Sequence, residues 1–324
     1  MKYFGRDLKV GIGKETTRGT AVSPSFWLPV IDFDFEDKKE EVIKEETLGV
    51  IEEAVGSIVV SRWAEGSLKT YLKDRSIGLI LLALLGQVST ETDTPEAGVN
   101  THTFTVKQDH QHPSLTICRK IGDLEQIAFP LAMIKDFELS GEVNKILEAS
   151  VSFISKKSES MSLTPSFESE NEFLAKHVKI KFADNLSGLD SADAIEAKNF
   201  SLKIDKDLEK DDVLGQDTPK DILNKVFKID VEVGMLLQNL DYANWAKGTN
   251  YKAMRIEIEN DDVVIGSSSH PKLVIDLARV RPVEYSRDFS LGDFIKETLS
   301  LKGYYSISDA KSIEVKLINT ESSY

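Results

Sequence analysis

The chain has 324 residues and a formal net charge of −14, with 54 acidic side chains against 40 basic ones. Proteins that hold nucleic acid through its phosphates need clustered Lys and Arg, so this balance argues against tight DNA binding. Hydrophobic residues make up 41% of the chain, which predicts folded cores, and the longest apolar run, Ile77 to Leu85, is too short to span a bilayer.

The first seven residues contain no apolar segment of the kind that secretory signals carry, so we expect none. Cys118 is the only cysteine, which excludes an intramolecular disulfide framework and favours synthesis in a reducing cytosol. Because Cys118 follows the strand-like run Leu115-Thr116-Ile117, we expect a buried, unreactive thiol.

Most of the chain reads as β-strands separated by turns. Apolar residues alternate with others in several short segments, and this period of two is typical of strands with one buried face. The clearest examples are residues 8–12, 31–35, 104–106 and 149–154. The sequence therefore predicts a mainly β fold.

One segment, Asp74 to Leu85, predicts an α-helix. Asp74 or Ser76 is suited to capping its first turn, and Gly86 is suited to ending it. Because nearly every side of this helix is apolar, we expect it to be buried.

Residues 156–173 are rich in Ser, Glu and Lys, which predicts an exposed connector. The sequence thus indicates a first β domain over residues 1–157, a connector over 158–173 and a second β domain over 174–324.

The two predicted domains resemble each other. Matching segments occur in the same order, although any one match is weak. The matched pairs are Leu8 with Val178, Leu48 with Leu214, Gly86 with Gly248, His112-Pro113 with His270-Pro271, and Asp136 with Asp288. The offset falls steadily along the chain, as shorter loops in the second copy would produce. We interpret this as an internal duplication; the alternative is two unrelated β domains.

Residues for catalysis or metal binding form no convincing group. His102, His110 and His112 cluster near a predicted turn, but their spacing fits no closed zinc site, so a polar hairpin loop is the better interpretation. The segment Gly11 to Thr17 lacks the spacing of a phosphate-binding loop and is interpreted as a strand end and loop. The charged run Glu36 to Glu41 predicts a solvated loop. We expect no catalytic residue, no cofactor and no metal.

The segment Leu48-Gly49-Val50-Ile51 is apolar within the highly charged stretch 36–53. It either covers the core as a short strand or turn, or forms a loop that docks on another subunit, since apolar patches rimmed by charge mark interfaces. The matching segment of the second half contains Leu214 and Gly215. These six residues are the candidate inter-subunit contacts.

In order along residues 5–155, several motifs resemble the tail tube (major tail) proteins of double-stranded DNA phages. They are Leu8 to Val22, Trp27-Leu28-Pro29, Leu48-Gly49, Val60 to Leu68, the helix ending at Gly86, and His112 to Leu115. The resemblance of the second half is weaker and depends on the duplication.

This resemblance implies two tandem β-sandwich domains, each with a flanking α-helix, in a structural protein that is not an enzyme. It implies rings that stack into a hollow tube, lined by a continuous β-barrel, with the loop at residues 36–56 reaching adjoining subunits or rings. Since rings of this family are usually sixfold, two domains per chain imply a trimeric pseudo-hexamer; a hexamer with the second domain outside is the alternative.

The implied partners are further copies of the chain and other tail proteins such as the tape measure and the terminator. DNA would pass through the tube without specific binding, helped by an acidic lumen, and no membrane is involved. The location implied is the virion, after assembly in the cytoplasm of the bacterial host. The competing functions are a β-rich adhesin or carbohydrate-binding virion protein and, less favoured, a carboxylate-dependent hydrolase.

Overall fold

The computed structural model describes residues 2–324, which form seventeen β-strands and two α-helices. The strands of the N-terminal half (residues 2–160) are β1 (Leu8–Lys14), β2 (Phe26–Leu28), β3 (Val30–Lys44), β4 (Gly56–Tyr71), β5 (Gly86–Glu91), β6 (Asn100–Val106), β7 (Leu115–Ile121), β8 (Glu125–Glu142), β9 (Glu148–Ser155) and β10 (Glu159–Ser160). Those of the C-terminal half (residues 174–324) are β11 (Val178–Ala183), β12 (Ala197–Asp211), β13 (Asp221–Leu236), β14 (Lys252–Glu259), β15 (Lys272–Asp288), β16 (Lys296–Gly303) and β17 (Ile313–Asn319). The predicted mainly β fold is confirmed.

The helix predicted over Asp74 to Leu85 is confirmed, but it begins at Ile77. Helix α1 spans Ile77–Leu85 with every residue buried, and it ends at Gly86, whose φ of 95° suits glycine. Helix α2 spans Asp241–Lys247. Ser76 is the N-cap residue, as predicted, but its side chain makes no capping hydrogen bond. The Asp74 carboxylate instead accepts two hydrogen bonds from Asn171, and the Ser76 amide donates to the Glu170 carboxylate. The segment after β10 therefore satisfies the polar groups at this helix start.

Strand neighbours follow the same order in the two halves. In the N-terminal half the order is β1–β7–β8–β9–β4–β3, with β10 also on β8. In the C-terminal half it is β11–β14–β15–β16–β13–β12, with β17 also on β15. The long strands β8 and β15 pair with different partners along their two parts, so each links two groups of strands within its half.

Irregularities of the ladders also recur. Each half has four register shifts, and each shift of one half falls in the corresponding pair of strands of the other half. The shifts fall at 30/32 and 197/199, at 40/41 and 207/208, at 115/117 and 252/254, and at 134/136 and 282/284. Such bulges redirect a strand locally, so the two halves bend at corresponding places.

Some details of the predicted repeat are wrong. His112-Pro113 precedes β7, whereas His270-Pro271 precedes β15, the strand that takes the place of β8. Asp136 lies inside β8, but Asp288 ends β15, so these two do not correspond. Nor does the offset fall steadily, because the hairpin of β5 and β6 occurs only in the N-terminal half.

Two segments predicted as exposed loops are partly ordered. Glu36 to Glu41 belongs to β3, which pairs with β4 as far as Lys44, so the loop that follows is confined to residues 45–55. The predicted exposed connector buries Leu163 and Phe173 against the N-terminal half. In both cases backbone pairing or core packing outweighs a polar composition.

The halves are joined edge to edge. Residues 136–142 of β8 pair with residues 199–205 of β12, which produces one eight-stranded sheet in the order β3–β4–β9–β8–β12–β13–β16–β15. A second connection pairs β6 with β17. The C-terminal Tyr324 also returns to the N-terminal half, where its hydroxyl donates to the Arg75 carbonyl. No helix among the residues described is long and apolar enough to cross a membrane.

Candidate assembly interface

The eight-stranded sheet has two ends with different connections. The connection from β3 to β4 and that from β12 to β13 lie at one end, here called the loop end. The turns from β8 to β9 and from β15 to β16 lie at the other, here called the turn end. This follows from the antiparallel course of the strands.

The four candidate residues of the N-terminal half lie in the loop 45–55, at the loop end. Leu48 is 63% exposed and Ile51 fully exposed, and Val50 is exposed as well. Gly49 has a φ of 74°, which a residue with a side chain adopts only under strain. These side chains do not cover the core, so the first of the two interpretations of this segment is wrong.

The other two candidates, Leu214 and Gly215, lie in the loop 212–220, also at the loop end. Leu214 is fully exposed. This loop is fixed to β4: the Arg62 amide donates to the Asp217 carbonyl at 2.6 Å, and the Arg62 guanidinium contacts the Asp217 carboxylate at 2.9 Å. The structure thus brings the six candidates to one end of the sheet, in two separate loops.

Exposed apolar side chains at the turn end were not among the sequence candidates. Phe289 is 64% exposed, Leu291 fully exposed, and Phe294 is exposed too. In the sequence they alternate with polar residues like a strand that begins at Asp288, whereas β15 ends there.

The two outer strands of the sheet have open edges. Within residues 2–324, β3 pairs only with β4, and the last part of β15, residues 282–288, pairs only with β16. Unpaired strand edges are templates for pairing with another chain. An assembly that pairs them removes this exposure.

A cleft opens at the turn end, between the halves. Its volume is about 450 Å³, and it lies between the turn after β8, the start of β11 and the start of β12. Val143, Ile146, Leu174, Ile195 and Phe200 are among the apolar residues that line it.

The face of the sheet turned away from the core is acidic. Residues paired across a ladder share a face, and the carboxylates on this face outnumber the lysines. The carboxylates include Asp34, Glu65, Asp136, Glu138, Asp205, Asp230, Glu232 and Glu284, and the lysines Lys69, Lys203, Lys228 and Lys302.

The histidines predicted near one turn have separate structural roles. His102 lies in β6 and contacts Thr90 and Asn319, His110 contacts the Asn224 carbonyl, and His112 contacts the Leu84 and Lys107 carbonyls. The three do not converge on one point. Cys118 is buried as predicted, and burial raises the pKa of its thiol to about 12, so it stays protonated.

His177 with Asp261 and Asp262 is the group in residues 2–324 whose ligand atoms lie close enough for a metal ion. However, the His177 Nδ1 accepts a hydrogen bond from the Leu174 amide, and Lys176 already pairs with Asp262 at 2.5 Å. This arrangement is a hydrogen-bonded turn before β11.

Comparison with known proteins identifies a family for this chain. A family model described as "Phage tail tube protein" matches residues 5–275. The chain belongs to the phage tail tube protein family. It is therefore a structural protein of the phage tail and a component of the virion, and its mainly β fold is consistent with that membership. A search of curated proteins gives no match.

Proposed function

We propose that this tail tube protein forms rings of three chains, which stack into a hollow tube that conducts DNA during ejection. The observation that carries this is the eight-stranded sheet, because its two halves lie edge to edge rather than one outside the other. That arrangement disfavours the alternative, a ring of six chains whose C-terminal halves decorate the outside.

An internal duplication underlies the proposal. The shared strand order and the four recurring register shifts support two copies of one β-sandwich unit, with a connector over residues 158–173. Phe33 then corresponds to Phe200, since they face Leu68 and Val233 at equal distances from matching bulges, and Phe137 corresponds to Tyr285 in the same way.

The junction within the chain is then a template for the junction between chains. Inside the chain, Phe200 faces Gly141 and Ser201 faces Ser140. Transferred through the repeat, Phe33 of one chain faces Phe289 of the next, and Asp34 faces Asp288. Both outer edges of the sheet become paired, and the ring closes.

Three chains supply a closed barrel of twenty-four strands. With strands about 4.8 Å apart and tilted by about 40°, its backbone diameter is roughly 48 Å, wide enough for a DNA duplex. The acidic face of the sheet would line this lumen and repel the DNA phosphates, so that DNA slides without adhering. A lumen that is net positive would contradict this part of the proposal.

The family match supports the remaining elements of the proposal. The tube is assembled in the host cytoplasm, with the tape measure and terminator proteins as further partners, and the protein acts without catalysis or a cofactor.

Ring number is tested by cross-linking. Asp34→Cys and Asp288→Cys, combined in one chain, place thiols at a pair expected to meet between neighbours. Both positions are exposed, so the core is undisturbed. Oxidation should give covalent species that stop at three chains on a non-reducing gel, and end-on images should show threefold rings. Species that continue to six chains, or tubes that do not cross-link, would contradict the trimer; either single-cysteine variant is the control.

A further inference from the structure

The cleft between the halves is lined by apolar side chains and by three lysines. Lys145, Lys176 and Lys198 line it together with one acid, Glu142; Lys145 pairs with Glu142, and Lys176 pairs with Asp262. Lys198 has no acidic partner within 4 Å among residues 2–324, and it is exposed. A cleft of this kind is complementary to an apolar group flanked by carboxylates.

The loop 45–55 offers that chemistry. Residues 45–53 carry four glutamates and no basic residue, a net charge of −4. Between the two glutamate pairs lie the exposed side chains of Leu48, Val50 and Ile51. The order along the chain is acid, apolar tip, acid, so the segment offers both apolar contacts and carboxylates to a cleft lined by apolar side chains and lysines.

A chain cannot fill its own cleft. The loop lies at the loop end of the sheet and the cleft at the turn end, and the fifteen residues of β12 run between these ends. At about 3.3 Å per residue, this distance is roughly 50 Å. The loop is therefore available to another copy.

We propose that residues 45–53 of one chain dock into the cleft between the halves of a chain in the adjacent ring. Each chain has one such loop and one such cleft, so every site in a stack is matched. Because the two surfaces are different and lie at opposite ends, the contact is head-to-tail and generates an open stack rather than a closed pair of rings. This inference rests on the proposed function and adds the receiving site of the stacking contact.

Cross-linking tests the contact directly. Ile51→Cys and Val143→Cys are combined in one chain; the native Cys118 is buried and does not interfere. Oxidised tubes should give a ladder of covalent chains, because each link reaches the next ring, and dispersed rings should give none. If the tubes form but no ladder appears, the docking site is wrong although the proposed function stands. If the wild type forms no rings or tubes, the proposed function itself fails.

Charge reversal provides a second test. Lys145→Glu with Lys198→Glu should leave rings intact but shorten or abolish tubes in electron micrographs, and adding Glu52→Lys with Glu53→Lys should restore them. The control variant is Lys2→Glu with Lys179→Glu. The Lys179 side chain lies on the opposite face of β11 from Val178 and Ile180, which line the cleft. Failure of the four-residue variant to recover, or an equal loss in the control, would contradict the inference.

Discussion

The two halves of the chain share one arrangement of strands and differ in a hairpin, a loop and the pairing of their sheet edges. Strand order and bulge positions are the same, yet only the N-terminal half has the β5–β6 hairpin, and only its β3–β4 loop is free of contacts like those that hold Asp217 to Arg62. The edges differ as well: that of β8 is already paired with β12, whereas that of β15 is open. The strand order and bulges repeat, while the loops and sheet edges differ between the halves.

Corresponding residues of the two halves often have different surroundings. Gly66 on β4 and Val231 on β13 occupy matching places, each between its half's two neighbouring strands. A Cβ at Gly66 would lie 1.7 Å from the Asp34 carbonyl oxygen, a distance that only a backbone shift relieves. The C-terminal half has room there for a branched side chain.

The largest effect is therefore expected for Gly66→Ala. We expect a loss of about 3 kcal/mol in the free energy of unfolding, because β3 must move away from β4. Urea denaturation of the dispersed chain measures it. Gly56→Ala on the same strand is the matched control, since a Cβ there meets nothing within 4 Å. Equal stability of the two variants would mean that β3 and β4 do not approach as closely as described.

A second pair of corresponding residues is Lys39 on β3 and Lys206 on β12. Lys39 is exposed beside Glu41, whereas Lys206 is fully buried and its Nζ donates to the Ala83 and Leu84 carbonyls at the end of α1. Burial, and then the nearby Arg18, lower the pKa of Lys206 to about 7. His112 also faces it at 3.2 Å, and burial with the Lys206 charge lowers the pKa of His112 to about 4.

The sign of the pH dependence follows from these values. Between pH 7 and the ordinary pKa of 10.5, the unfolded chain holds a proton on Lys206 that the folded chain gives up. The free energy of unfolding should therefore rise with pH over this range. Lys206→Met should flatten that rise, whereas Lys39→Met should leave it unchanged. Urea denaturation at several pH values is the measurement, and an unaltered slope in Lys206→Met would contradict the assignment.

Local sequence patterns predicted the elements that depend on local chemistry. The alternation at residues 8–12 correctly predicted β1, and Gly86 correctly predicted the end of α1. Both signals are local, because the repeat of apolar residues and the termination of a helix depend on neighbouring residues in the chain. His112-Pro113 and His270-Pro271 were matched wrongly, since proline suits the start of any strand. The pairing of β6 with β17 and the paired edge of β8 depend on residues far apart in the chain, and no local pattern encodes them.

The candidate interface was predicted in part for the same reason. Leu48 to Ile51 stands out as apolar in a charged stretch, so the loop was identified before its position was known. Phe289 and Leu291 alternate with polar residues and resemble a strand, so only the end of β15 shows that they are exposed. The cleft is assembled from three distant segments and has no sequence signal of its own.

The smallest effect concerns the hairpin that the C-terminal half lacks. Glu96, in the turn of this hairpin, accepts hydrogen bonds from the amides of Ser267, Ser268 and Ser269 and so holds the loop before β15. These bonds lower the pKa of Glu96 to about 2, from an ordinary value of 4.5. Their stabilising effect should be complete above pH 4.5 and should fade as the pH falls towards 2.

Glu96→Gln should speed amide exchange at residues 267–269 severalfold at neutral pH, while global stability changes little, because glutamine keeps an oxygen acceptor but loses the charge. Hydrogen exchange read by mass spectrometry from pH 3 to 7 is the measurement, with Glu91→Gln on β5 as the control. The wild-type loop should lose its protection at the acidic end relative to the variant. If residues 267–269 exchange at the same rate in the wild type and in Glu96→Gln at every pH, the Glu96 carboxylate does not hold this loop. The β6–β17 pairing would then be what joins the hairpin to the C-terminal half.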